Sequence, residues 1–144
     1  AFPNVPIVKT SSVNAEFVKY VTNTFLATKV SFANEIYQIC EKLKESGLDV
    51  DYDRIIECVS LDKRVGTSHW QVPGPMPSDD GSGKLVRGFG GSCFSKDINA
   101  LISLSRVLGV DPKVLQAAWD KNLEVRPECD WKYLVGRAVS DDNK

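Results

Sequence analysis

The sequence is most informative first in what it does not contain. No apolar run approaches the roughly 18–20 residues that a membrane-spanning helix needs, and the opening AFPNVPIVKT has none of the basic-then-apolar order of a secretion signal. Neither sign of charge is in excess: 18 Lys and Arg stand against 19 Asp and Glu, so there is no basic field to draw in nucleic acid or an anionic membrane. There is one histidine, and the four cysteines (Cys40, Cys58, Cys93, Cys129) form no Cys-x-x-Cys pair, which argues against a structural zinc site or any other metal. A strand followed by Gly-x-Gly-x-x-Gly is also missing, so the dinucleotide-binding fingerprint is not in these residues. With 42% hydrophobic residues in 144, the chain can bury one core without disulfides. The reading is a single soluble, cytoplasmic domain with reduced cysteines.

What is present is helical. Val13 to Ser46 holds no Gly or Pro, and Phe17, Val21, Phe25, Phe32, Ile36, Ile39 and Leu43 recur at helical steps. This predicts one long amphipathic helix, capped by Ser11 or Ser12, with Glu16 in its first turn and Gly47 as terminator. At about 1.5 Å per residue it spans on the order of 50 Å, more than a small domain can cover. A shorter helix is expected from Tyr52 to Ser60, with Tyr52, Ile55, Ile56 and Val59 inward. From Arg64 to Ser92, Pro73, Pro75, Pro77 and several glycines break every periodicity, which predicts a long functional loop. A third helix carries Ile98, Leu101, Ile102, Ser105 and Leu108 and stops at Gly109. A fourth starts at Asp111 and Pro112, buries Val114, Leu115, Ala118, Trp119 and Leu123, and closes at Pro127. Asp130 caps a fifth, from Trp131 to about Val139, followed by a polar tail. Pro6 to Lys9 is the only strand-like piece.

Chemistry concentrates where the loop meets the third helix. In GFGGSCFSKD, Cys93 falls at or near a helix N-terminus, where exposed N–H groups favour a thiolate, and Asp97 follows one turn later. A nucleophile and a water-positioning carboxylate would converge there; by spacing alone, an inert buried thiol beside a flexible linker explains the pattern equally well. Lys19 and Asn23 are spaced i, i+4 and suit either oxyanion stabilisation or a solvated helix edge. Arg64 fits a phosphate or sugar contact or a surface charge. His69, in the loop, reads as polar surface ahead of a general base. Cys40 and Cys58 read as core, Lys29 as solvated, and Cys129 has no assigned role.

Four motifs then occur in order: Lys19-Tyr20-Val21-Thr22-Asn23-Thr24-Phe25-Leu26-Ala27, Ser31-Phe32-Ala33-Asn34-Glu35, Asp62-Lys63-Arg64-Val65-Gly66, and GFGGSCFSKDINAL from Gly88 to Leu101. Together they resemble the central region of the UDP-glucose and GDP-mannose dehydrogenase family, over about Ile7 to the early 120s. The resemblance implies an all-α fold similar to the 6-phosphogluconate dehydrogenase C-terminal-domain-like dimerisation fold, with one long helix and about four shorter ones. It implies a homodimer through helix 13–46 and a cytoplasmic enzyme that oxidises C6 of a nucleotide sugar twice with NAD. The NAD-binding and C-terminal nucleotide-binding domains are expected outside residues 1–144, which alone should be inactive. Carried over by motif, Cys93 is the nucleophile, Lys19 and Asn23 hold the oxyanion, and Asp97 positions water. Arg64 reaches the sugar of the other subunit, and Phe89 and Gly90 lie against the substrate. Ser95 stands where bacterial members most often have proline, which loosens the helix start and removes no functional group. The Val-Pro-Gly-Pro loop and Phe94 with Lys96-Asp97 look closer to the UDP-glucose branch than to GDP-mannose or N-acetylhexosamine members. The competing reading is a non-catalytic helical dimerisation or nucleotide-sugar-binding module.

Overall fold

A computed structural model of the chain describes residues 5–75 and 85–134. They are mostly helical. The long predicted helix is α1, Ser12–Glu45, 34 residues without interruption. Ser11 caps it, its Oγ accepting the Asn14 N–H at 3.2 Å. Gly47, at φ 86°, turns the chain away after its last turn. Glu16 lies beyond the first turn, because the helix starts at Ser12.

Three further α-helices follow: α2, Tyr52–Val59; α3, Cys93–Val107; and α4, Lys113–Val125. A short 3-10 helix, η1, covers Asp130–Tyr133. The expected long helix from Trp131 is therefore a single tight turn over the described residues, and residues 135–144 lie outside them. Asp130 does not cap it, because its carboxylate is taken by Arg126 and by the Gly91 N–H. The start of α4 also shifts. Asp111 makes no capping bond and pairs with Lys113 instead, and Pro112 sits just before the helix.

Sheet structure occurs where the sequence predicted only loop. Gly74–Pro75 (β1) pairs antiparallel with Leu85–Val86 (β2), which closes the described part of the 64–92 loop into a hairpin. Pro6–Lys9 forms no strand.

Helix α1 is the shared wall of two apolar clusters. Towards α3 and α4, Ala27 packs with Phe89, Ile98, Ile102 and Ala118. Further along, Ala33 and Cys40 pack with Tyr52, Trp70 and Val72. The residues α1 buries are Thr24, Ala27, Ser31, Ala33, Asn34 and Cys40, all small or short, so neighbouring backbones approach closely. Ser31 shows how closely: its hydroxyl donates to the Ala118 carbonyl of α4 at 2.6 Å. The large apolar residues of the same helix, Phe17, Val21, Phe25, Phe32, Ile39 and Leu43, face outward.

Other burial expectations change for local reasons. On α4 the buried residues are Ala118 and Asn122, and Val114 and Leu123 are exposed, because α4 turns a narrow, partly polar face to α1 and the glycine loop. Cys58 is exposed on α2 and Cys40 is buried. Tyr52 anchors the second cluster, its phenol donating to the Trp70 carbonyl at 2.6 Å. Burial pushes that phenol's pKa up to about 12. Among the described residues no helix is long and apolar enough to cross a membrane.

Ile98, at 0% exposure in the centre of the first cluster, should be the costliest α3 side chain to truncate. Ile98→Ala is expected to lower unfolding free energy by about 2–5 kcal/mol, a large part of a typical domain's stability. Val107→Ala, at an exposed position of the same helix, should stay within about 0.5 kcal/mol. Urea titrations of the two variants check the contrast.

Candidate functional site

The segment Arg87–Ser92 lies against Asn34 of α1 and Asn122 in the last turn of α4 and leads into α3, whose first residue is Cys93. Ser92 gives that helix no side-chain cap, so the first-turn N–H groups are left open around the cysteine. Cys93 is exposed. It lies in the wall of a cavity of about 560 Å³ together with Phe89, Gly90, Gly91, Ser92 and Phe94. The opposite wall comes from the hairpin, through Ser68, His69, Gln71, Gly74 and Pro75, and Val30 and Arg126 complete the lining.

One turn behind Cys93, Asp97 has 0% exposure. The Asn23 amide donates to its Oδ2 at 2.6 Å. The Lys19 ammonium stands 3.8 Å from the same oxygen, and the Lys96 ammonium 3.7 Å from Oδ1. Oδ1 accepts no hydrogen bond. A buried carboxylate with one oxygen unsatisfied is expensive to keep in a core and is usually retained for a use. The structure thus brings Lys19, Asn23 and Asp97 together, with both donors directed at the carboxylate and not at an empty oxyanion position.

Phe89 and Gly90 are in the cavity wall, as their sequence position suggested. Phe89 is buried, edge-on to Phe94 at 6.0 Å and tilted against Trp119 at 6.0 Å. Trp119 in turn meets Trp131 at 5.1 Å. Arg64 is apart from this group. Its side chain is 90% exposed and its guanidinium forks onto Asp62, with Nε 3.0 Å from Oδ1 and Nη2 2.6 Å from Oδ2. That contact holds the Asp62 carboxyl below its ordinary range.

Two residues set aside in the sequence have definite places. Lys29 is only partly exposed and has partners. Its ammonium donates to the carbonyls of Val65 at 3.0 Å and Gly66 at 3.4 Å and lies 4.8 Å over the Trp70 ring, which ties the hairpin's base to α1. His69 is held in the left-handed region at φ 65°, uncommon for a residue with a side chain, and its ring meets Phe94 at 5.8 Å. Burial, and secondarily the Lys29 charge, lower its pKa from the ordinary 6.5. No group of three or more His, Cys, Asp or Glu among the described residues could hold a metal ion.

Sequence reasoning missed Asn34, Asn122, Arg126 and Asp130, which hold the peptide groups of the loop before Cys93. Asn34 Oδ1 accepts the Gly88 N–H at 3.2 Å. Asn122 takes the Phe89 N–H at 2.7 Å and donates to the Phe89 carbonyl at 3.0 Å. The one available signal was an i, i+4 polar row, Asn122 and Arg126, continuing the buried side of an otherwise apolar helix face.

Residues 13–124 match the family model described as UDP-glucose/GDP-mannose dehydrogenase family, central domain. UDP-glucose 6-dehydrogenase AglM of Haloferax volcanii is 40% identical over 119 residues, 83% of this chain and 24% of that protein. UDP-glucose 6-dehydrogenase TuaD of Bacillus subtilis is 37% identical over 143 residues, 95% of this chain and 27% of that protein. The solved structure of a UDP-glucose dehydrogenase from the archaeon Pyrobaculum islandicum superposes with a TM-score of 0.61 at 36% identity, over 84% of this chain and 24% of that one. The chain therefore spans about a quarter of the length of the relatives it matches.

The His69 environment generates a pH prediction. A lowered pKa means that the neutral ring is favoured in the folded chain, so its NMR titration should have a midpoint below 6.5. Lys29→Gln removes a positive neighbour and should move that midpoint upward; no movement, or movement downward, would contradict the assigned contribution of Lys29.

Proposed function

Taking as premise that this chain belongs to the UDP-glucose/GDP-mannose dehydrogenase family, we propose that it supplies the cysteine-bearing centre of an enzyme that oxidises UDP-glucose to UDP-glucuronate. The observation that carries this reading is an exposed thiol at a helix start in a cavity wall, one turn from a buried carboxylate held by a lysine and an amide.

In this reading the Cys93 thiolate forms a bond to the aldehyde carbon of the half-oxidised sugar, giving a thiohemiacetal, and is later released from the thioester by water. Lys19 and Asn23 stabilise the negative oxygen that develops at that carbon, for which Asn23 must exchange part of its bond to Asp97. Asp97, with Oδ1 unsatisfied, orients the hydrolytic water. Phe89 and Gly90 form the surface against which the sugar lies. Both oxidations need a hydride acceptor, which in the family reading is NAD. The residues here do not fit an NAD site: the sequence lacks the glycine fingerprint, and the sheet among the described residues is one two-residue antiparallel pair. Residues 1–144 are accordingly read as one central helical domain, inactive by itself and dependent on a dinucleotide-binding partner domain. UDP-glucose is preferred over GDP-mannose because the relatives matched are UDP-glucose 6-dehydrogenases.

The same reading includes a homodimer built on α1. Its outward Phe25 and Phe32 are 66% and 53% exposed and belong to a stripe that runs the helix's length. An apolar stripe of that extent is unusual on a free surface. A two-fold mate would cover it, and Arg64, exposed and not among the residues that line the cavity of its own chain, would reach the sugar site of the other subunit.

Two experiments bear on this. Competitive alkylation with iodoacetamide and peptide mapping should find Cys93 the fastest of the four thiols, ahead of exposed Cys58, since Cys93 is exposed in a cavity wall at the first residue of a helix and Cys58 lies in the last turn of α2. If Cys58 or Cys129 labels first, the nucleophile assignment is lost. Sedimentation equilibrium should return twice the 15.9 kDa chain mass, and Phe25→Asp should reduce it; a stable folded monomer at high micromolar concentration would remove the interface and with it the role of Arg64 across it.

A further inference from the structure

The loop before Cys93 poses a peptide-group problem. Glycine-rich and outside any ladder over Arg87–Gly91, it has N–H and C=O groups that must find partners in a largely buried place. They find them in three side chains spaced four residues apart, on the last turn of α4, at its C-cap and at the start of η1: Asn122 on Phe89, Arg126 on the carbonyls of Arg87 and Gly88 at 3.4 Å each, and Asp130 on the Gly91 N–H at 3.2 Å. Arg126 and Asp130 are joined to one another by a 2.6 Å contact, with the arginine side chain only 2% exposed. The same loop, Gly88 to Ser92, lines the cavity, and Arg126 of this row lines it too.

Two glycines permit the approach. A Cβ on Gly88 would stand 2.5 Å from Asn122 Oδ1, and one on Gly90 would stand 2.5 Å from Arg126 Nη2 and 2.6 Å from Asp130 Oδ1. The loop backbone therefore rests directly on the polar row.

We propose that Asn122, Arg126 and Asp130 are positioning residues that set the placement of Cys93 in the cavity through the backbone of Arg87–Gly91. This rests on the reading of Cys93 as nucleophile. Two features separate the role from ordinary support. Packing alone would be served at least as well by apolar side chains, since a buried ion pair is weak evidence for stability. Moreover Arg126 Nη2 is buried without a hydrogen bond, although Arg126 contributes to the cavity wall. A guanidinium kept there with a donor unsatisfied suits a group whose geometry is maintained for the site. Its effect reaches Cys93 over a short lever, because Asp130 holds Gly91, two residues before the thiol.

The test uses this chain with Arg126→Met, Arg126→Lys, Asp130→Asn and Gly90→Ala. Amide hydrogen exchange at Gly88, Phe89 and Gly91 reads the grip, and the pH profile of Cys93 alkylation by iodoacetamide reads its consequence, with exposed Cys58 as internal reference. Arg126→Met should speed exchange at these amides and slow Cys93 alkylation by about tenfold or more relative to Cys58. Arg126→Lys, which keeps the charge and one donor, should recover much of the rate. If Arg126→Met does not fold, Asp130→Asn and Gly90→Ala carry the comparison, the first loosening Gly91 and the second lifting the loop from the opposite side. Fast loop exchange with an unchanged Cys93 profile would overturn the positioning role and leave the nucleophile assignment standing. Wild-type Cys93 labelling no faster than Cys58 would instead break the nucleophile reading itself.

Discussion

Close approach to α1 governs the arrangement of the rest. Its inward face is Thr24, Ala27, Ser31, Ala33 and Asn34, none of which extends far enough to hold a neighbouring helix away. Ala118 of α4 and Ile98 and Ile102 of α3 can then meet at Ala27, and a serine hydroxyl on α1 can reach a backbone carbonyl of α4. Dense packing at that point leaves no room for a thick connection between the hairpin and α3, so the connection is glycine-rich and its peptide groups are held by side chains. The location of Cys93 follows from a size rule applied some sixty residues earlier in the chain.

The polar interior is organised in two places with opposite character. Around the loop the peptide groups are held by side chains, with Asn122 engaging both peptide atoms of Phe89 and Arg126 Nη2 the one buried donor left over. Around Asp97 the groups are not matched: two ammonium groups stand at 3.7–3.8 Å and one carboxylate oxygen has no hydrogen bond. Matched networks hold a shape, whereas an unmatched buried charge leaves a group ready for a further partner. The two are joined through the first turn of α3.

Much of this was legible beforehand. The limits of α1 follow from a Gly- and Pro-free run between Ser11 and Gly47, and the start of α3 follows from the end of the glycines. Cys93 and Asp97 stand out in the sequence as a thiol and a carboxylate at a helix start, a pattern that an inert thiol beside a linker fits equally well, whereas Phe89 and Gly90 come only with the family resemblance; of these, Cys93, Phe89 and Gly90 share one cavity wall. The losses share a cause. Hydrophobic periodicity ranks residues by apolarity, so it passed over Asn122 and Arg126, which this chain buries, while the stripe of Phe25 and Phe32, expected at a subunit interface, is exposed in the single chain. Cys58 was assigned inward on the same ground and is exposed. Lys29 reads as solvated because it points away from the Lys19 and Asn23 face, and its partners, the carbonyls of Val65 and Gly66, carry no signature in a sequence. The hairpin pairing of Gly74–Pro75 with Leu85–Val86 is invisible to propensity, since each strand is only two residues long and one of the two consists of the strand breakers Gly74 and Pro75.

The aromatic contacts that run from Phe94 through Phe89 and Trp119 to Trp131 have an optical consequence. No tryptophan lines the cavity, yet Phe89 does, and Trp119 rests on it. A displacement of the cavity wall is thereby passed to an indole that itself meets a second indole 5.1 Å away, tilted by 55°. The emission of that pair is the molecule's own reporter of events around Cys93, read without attaching any dye to the one thiol that a dye would disturb.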